Sequence, residues 1–220
     1  MEDYLEFMLD KGELDTAIQG YYSLKEENPN YVEKVSELER LNDLRTIIEC
    51  EAMLNDRAQE LEQGIDIEDG SRKYRVKPSV NLRQYLESYV PIEKEKIRYQ
   101  LGQAYMRRGD EKRAIAIFQQ IAKGESSYRV KALYNLGILL IKNKQYKLAR
   151  EYFESIDFNH ARFPEKEKKE MMANIASLFE ENGLIPEALI FYEKLASVDA
   201  SYLDITERMS LLRDKLEQGK

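Results

Sequence analysis

The chain has 220 residues, 43% hydrophobic and 34% charged, with only 10 glycines, 5 prolines and a formal net charge of −7, a balance that suits a helix-rich soluble protein. Its apolar runs, such as Gly137 to Ile141, fall far short of the roughly 20 residues that a membrane span requires. One cysteine, Cys50, excludes an intramolecular disulfide, and the acidic start Met1-Glu2-Asp3-Tyr4 lacks the basic stretch and apolar core of a secretory signal. A cytoplasmic location is the expectation, the soluble part of an exported or membrane-anchored protein the alternative.

Residues 1–30 read as a helix hairpin whose first helix is short, clipped as if from a longer array. Gly12, Leu14, Ala17, Tyr21, Leu24, Tyr31, Leu38 and Leu41 recur 171 positions later as Gly183, Ile185, Ala188, Tyr192, Leu195, Tyr202, Met209 and Leu212. Residues 31–63 hold neither glycine nor proline, and apolar residues recur at helical intervals. They form either one helix about 50 Å long or an irregular pair with a polar turn near Asn55-Asp56. Residues 64–94 read as a charged loop, turning from acidic to basic, followed by a short helix at Leu82–Val90 that ends at Pro91.

Residues 95–200 carry the repeat. Tyr99, Leu101, Gly102, Ala114, Phe118 and Ile121 return 35 positions on as Tyr134, Leu136, Gly137, Ala149, Phe153 and Ile156. A further 39 positions on, Ala176, Phe179, Ala188, Tyr192 and Leu195 take the places of Gly137, Leu140, Ala149, Phe153 and Ile156. Small residues on both helices of a pair permit close approach, and the aromatic fills the wedge between them. Because one hairpin cannot bury its apolar face alone, successive hairpins must stack. Residues 201–220 then form a C-terminal capping helix.

Leu101-Gly102-x-x-Tyr105, Ala114 and Phe118 resemble the tetratricopeptide repeat, without its tryptophan and without a proline after residues 121 and 156. The resemblance implies an all-α fold, a right-handed α-solenoid of helix hairpins. It also implies a concave groove lined by the first helix of each repeat, which holds protein segments. In that register the partner-binding positions are Lys96, Tyr99, Gln103, Met106 and Arg107, then Lys131, Tyr134, Ile138, Ile141 and Lys142. Glu170, Ala173, Ser177, Glu180 and Glu181 follow in the last repeat. The set that some family members use to clamp a terminal carboxylate is absent.

Charge favours the same region. Residues 1–70 carry a net −14, residues 71–150 a net +13 and residues 151–220 a net −6. Such a middle would attract an acidic protein or peptide; the bland alternative is that it packs against the acidic N-terminal part. Tyrosine beside lysine and arginine could also stack single-stranded RNA, which the acidic flanks and the overall charge disfavour. Self-association into a larger assembly stays open. No metal, cofactor or catalytic motif is expected: His160 stands alone, and Asp66-x-Glu68-Asp69-Gly70 puts its glycine one place early for a calcium loop. The chain reads as a non-enzymatic scaffold or adaptor.

Overall fold

The computed structural model describes residues 1–87, 93–158 and 164–218, which form two units, Met1–Tyr128 and Arg129–Lys220. His160 and residues 88–92, where the short helix was expected to end, lie outside the described residues.

In the first unit, helix α1 (Glu2–Asp10) pairs with α2 (Leu14–Glu27). A 3-10 turn at Pro29–Tyr31 leads into α3 (Val32–Leu54), and a second at Ala58–Leu61 follows it. The 31–63 stretch is thus one 23-residue helix with a short 3-10 turn behind it, and the break falls at Asn55-Asp56. Next come two strands, β1 (Ile65–Asp69) and β2 (Arg72–Val76), then α4 (Val80–Glu87), α5 (Lys94–Arg107) and α6 (Glu111–Ala122).

The strands correct the expected loop. They pair antiparallel with Asp69 opposite Arg72, so the connection is two residues, Gly70-Ser71, with Gly70 at φ +63°. Ile65, Ile67 and Val76 alternate inward and join Leu5, Leu9, Leu14, Tyr21, Leu38 and Leu41 in one core. The charges that suggested a loop are the outward half of that alternation: Glu68 pairs with Lys73 at 2.7 Å and Asp66 with Arg75 at 2.9 Å.

The second unit holds α7 (Arg129–Lys142) with α8 (Tyr146–Glu154), α9 (Glu165–Glu181) with α10 (Ile185–Val198), and α11 (Ile205–Gln218). Phe153, Phe179 and Phe191 form its centre. All three are fully buried, Phe179 stacks on Phe191 at 5.8 Å, and Phe153 meets both edge-on.

Small residues set how closely the helices pair. A Cβ added to Gly102 would lie 2.7 Å from Cε1 of Phe118, and one added to Gly137 would sit closer still to the Phe153 ring. Ala114, Ala149, Ala176 and Ala188 have no exposed surface. In the first hairpin Gly20 does the same work, its missing Cβ leaving room for Leu5.

One turn recurs. After α1, α3, α5, α7 and α9 the chain enters the left-handed region at Gly12, Asp56, Gly109, Lys144 and Gly183, with φ between +57° and +77°. Each time the next amide reaches back five residues to a carbonyl: Glu13 to Met8, Arg57 to Ala52, Asp110 to Tyr105, Gln145 to Leu140 and Leu184 to Phe179. This is a Schellman cap, which satisfies carbonyls that the helix end would leave unpaired. The 171-residue echo extends to an Asx turn, since Asn30 donates to Asn28 at 3.0 Å and Ser201 to Asp199 at 3.1 Å.

Candidate functional site

In the first unit a cleft of about 500 Å³ lies among α2, α3, α5 and the start of α4. Its floor is charged yet buried, with Arg45 3% exposed and Glu49 4%. Burying charge is tolerated only where partners replace water, and here they do. Arg45 donates to Asp15, to Asn42 at 2.7 Å and to the Lys77 carbonyl at 3.5 Å. Glu49 accepts from the backbone N–H of Ser79 at 2.7 Å and from its hydroxyl at 2.6 Å. The same hydroxyl accepts from Leu82 N–H at 3.2 Å, so Glu49 anchors the residue that caps α4. Burial raises the Glu49 carboxyl above its ordinary pKa, although the Ser79 bonds and the Arg45 charge oppose the shift. On the same lining, Cys50 is buried between Glu49 and Glu51; burial, with those charges, pushes its thiol up to about 12, which keeps it unreactive.

Two of the expected binding positions, Gln103 and Arg107, line this cleft. Arg107 is ion-paired with Asp43 of α3 at 2.7 Å, and Gln103 donates to the Tyr99 hydroxyl at 3.2 Å. Tyr99 itself packs on Phe118 and Tyr128, with ring centroids 5.9 and 5.3 Å away. Met106 is half-buried and Lys96 exposed on the same helix.

On α7, Lys131 and Lys142 are exposed and Tyr134 and Ile138 half-buried. Tyr134 packs against Phe153 at 6.2 Å; burial raises its pKa, opposed by a hydrogen bond with Asn174 of α9. Ile141 is a correction. It is 5% exposed and belongs to the core, because three residues along a helix turn the side chain about 60° away from Ile138, toward the neighbouring helix. Ala173 is buried for the same reason. Ser177 and Glu180 face inward too: the Tyr192 hydroxyl lies 3.4 Å from Ser177 and donates to Glu180 at 3.0 Å, and Glu180 is ion-paired with Arg208 of α11. Glu170 is exposed on the first half of α9 and Glu181 is exposed near its end.

Sequence reading missed Arg45, Glu49 and Ser79, which lie outside the repeat. A mid-helix arginine flanked by carboxylates reads as a solvated face until the fold brings Asp15, 30 positions away, onto it.

Among the described residues no group of acidic, histidine or cysteine side chains could hold a metal ion. None of the described helices is long and apolar enough to cross a membrane. Residues 99–164 match the family model described as Tetratricopeptide repeat. Over that stretch, which spans α6, α7 and α8, the chain carries tetratricopeptide repeats. A crystal structure of nearly identical TPR-like repeats from a candidate kinesin light chain of Podosopora anserina is similar at 16% identity and a TM-score of 0.43, over 82% of this chain and 92% of that one. BtubC (BKLC) from P. vanneervenii is similar at 16% identity and a TM-score of 0.40, over 89% and 74%. No curated protein matches. Tetratricopeptide repeats generally mediate protein–protein interaction, and α5 to α8 are the helices that the family match covers most fully.

Proposed function

We propose that the chain is a non-catalytic adaptor that holds segments of a partner protein on the outward faces of α5 in the first unit and α7 in the second. The observation that carries this is the pair of unspent cations, Lys96 and Lys131. Both are exposed, on first helices of successive repeats, and neither has an ion-pair partner among the described residues. Half-buried Gln103 and Met106 follow the first along α5, and half-buried Tyr134 and Ile138 follow the second along α7, so each helix offers apolar area together with a charge-assisted donor. An acidic segment suits such faces. The +13 of residues 71–150 is smaller in effect than it looks, because Arg72, Lys77 and Arg107 are paired with Glu37, Glu13 and Asp43 inside the first unit.

Affinity purification from the native source with the intact chain and with a Lys96→Glu, Lys131→Glu variant tests the reading. Recovery of the partner should fall by about tenfold, roughly the loss of one charge-assisted contact. Unchanged recovery rejects these faces. Retention of RNA that weakens steeply with salt, or recovery of the chain alone as an oligomer, would replace the adaptor by another function.

A further inference from the structure

Helix α1 carries an apolar side that the described residues leave open. Counting back from the left-handed residue that follows each helix, Tyr4, Phe7 and Met8 of α1 stand where α5 has Leu101, Ala104 and Tyr105. The same places in α7 hold Leu136, Leu139 and Leu140. In α5 and α7 all six are buried. On α5 this side meets α3, whose Glu51 accepts from the Tyr105 hydroxyl. On α1, by contrast, Tyr4 is 51% and Phe7 52% exposed, Met8 is half-buried, and Met1 extends the surface at 80%. Two neighbouring exposed aromatics are uncommon on a short helix and mark a contact surface. Since a helix covers the equivalent side of α5, a helix is the shape that fits here.

Charge says which helix. Asp3, Phe7 and Lys11 follow at four-residue intervals and form one exposed stripe, negative at one end, positive at the other, with the ring between them. Lys11 lies over the Phe7 ring at 5.4 Å, and neither it nor Asp3 has an ion-pair partner among the described residues. Such a stripe is complementary to its own antiparallel copy. With Phe7 on a two-fold axis, Asp3 of each copy meets Lys11 of the other, and the two rings meet at the centre. We propose that two copies of this chain pair through α1 in that way, covering Tyr4, Phe7 and Met8. Helix α11 suits the face less, because its exposed Leu211 stands among exposed Glu207, Asp214 and Lys215. Helices this short fall below the roughly 1,200 Å² at which stable specific interfaces begin, so the dimer is weak and concentration-dependent. The pairing goes beyond the adaptor reading and uses neither α5 nor α7.

Sedimentation equilibrium of the full chain between about 1 μM and about 1 mM is the measurement. A monomer throughout that range overturns the pairing. Where a dimer forms, Phe7→Glu should abolish it. Asp3→Lys and Lys11→Asp should each weaken it roughly tenfold, since two-fold symmetry makes every exchange twice. Mixing those two single variants should restore the dimer, because each supplies the charge that the other's stripe lacks. A variant that had merely lost its fold would not recover on mixing. A dimer indifferent to Phe7→Glu, or variants that stay apart when mixed, overturns the pairing. A dimer abolished by Leu211→Glu instead lies on α11 and overturns it too. Lys96→Glu with Lys131→Glu should leave the dimer unchanged, so this pairing and the adaptor faces stand or fall separately.

Discussion

At the scale of single residues, the fold rests on absent atoms. Gly102 and Gly137 occupy equivalent places, and in each the aromatic of the following helix fills the space of a missing Cβ. Phe153 is fully buried and braced by Tyr134, Phe179 and Phe191, so it has nowhere to go. Gly137→Ala should therefore cost about 1–3 kcal/mol by overpacking, against a helix-propensity gain of about 1 kcal/mol. Gly102→Ala should cost less, since its clash with Phe118 is milder. Urea unfolding of the two variants checks the order. Glu37 gives a pH signature of opposite sign to that of Glu49. Burial alone would raise its carboxyl, but the Tyr74 hydrogen bond, the Lys34 charge and the Arg72 contacts outweigh it and hold the group below its ordinary range. Its ionised form then stabilises the fold above pH about 4.5, and that contribution is lost as pH falls through the depressed folded-state pKa. Glu37→Gln should lower stability by about 1 kcal/mol at pH 7, a figure limited by solvent screening. Melting curves at pH 7 and pH 3 should show the gap closing on acidification.

At the scale of elements, the repeats were legible because their signals are local and periodic. Gly102, Ala114 and Phe118 return in step, and the spacing alone implies paired helices. Turn chemistry was half legible. Gly12, Gly109 and Gly183 announce left-handed caps, whereas Asp56 and Lys144 adopt the same conformation with nothing in their chemistry to demand it. The hairpin Ile65–Val76 was not legible, because its outward charges mask the period-two alternation of Ile65 and Ile67 and the Asp69-Gly70 turn. A testable consequence lies in the caps. Lys144 sits at φ +58° with a Cβ that this region disfavours by about 1–2 kcal/mol. Lys144→Gly should raise the stability of the second unit by about 1 kcal/mol after the added chain entropy of glycine is deducted. Gly109→Ala should destabilise the first unit, by conformation alone, because a Cβ there meets open space. Denaturant titrations of each variant read both.

At the scale of the molecule, long-range electrostatics were the least legible. The sequence divides into acidic, basic and acidic thirds, which can be read as an attractive field or as internal packing. In the first unit internal packing accounts for much of it: Arg72, Lys77, Arg107 and Tyr105 reach Glu37, Glu13, Asp43 and Glu51 across 35 to 64 positions of sequence. Such pairings depend on which helices become neighbours, and no spacing rule reveals them. Lys96 and Lys131 remain without ion-pair partners among the described residues, and on them rests the proposal that α5 and α7 present the faces that meet another protein. Hydrogen–deuterium exchange on the full chain, with and without the recovered partner segment, tests that assignment most directly. Added protection should concentrate in residues 94–107 and 129–142, whereas protection confined to α6, α8 and α10, or none at all, would contradict it.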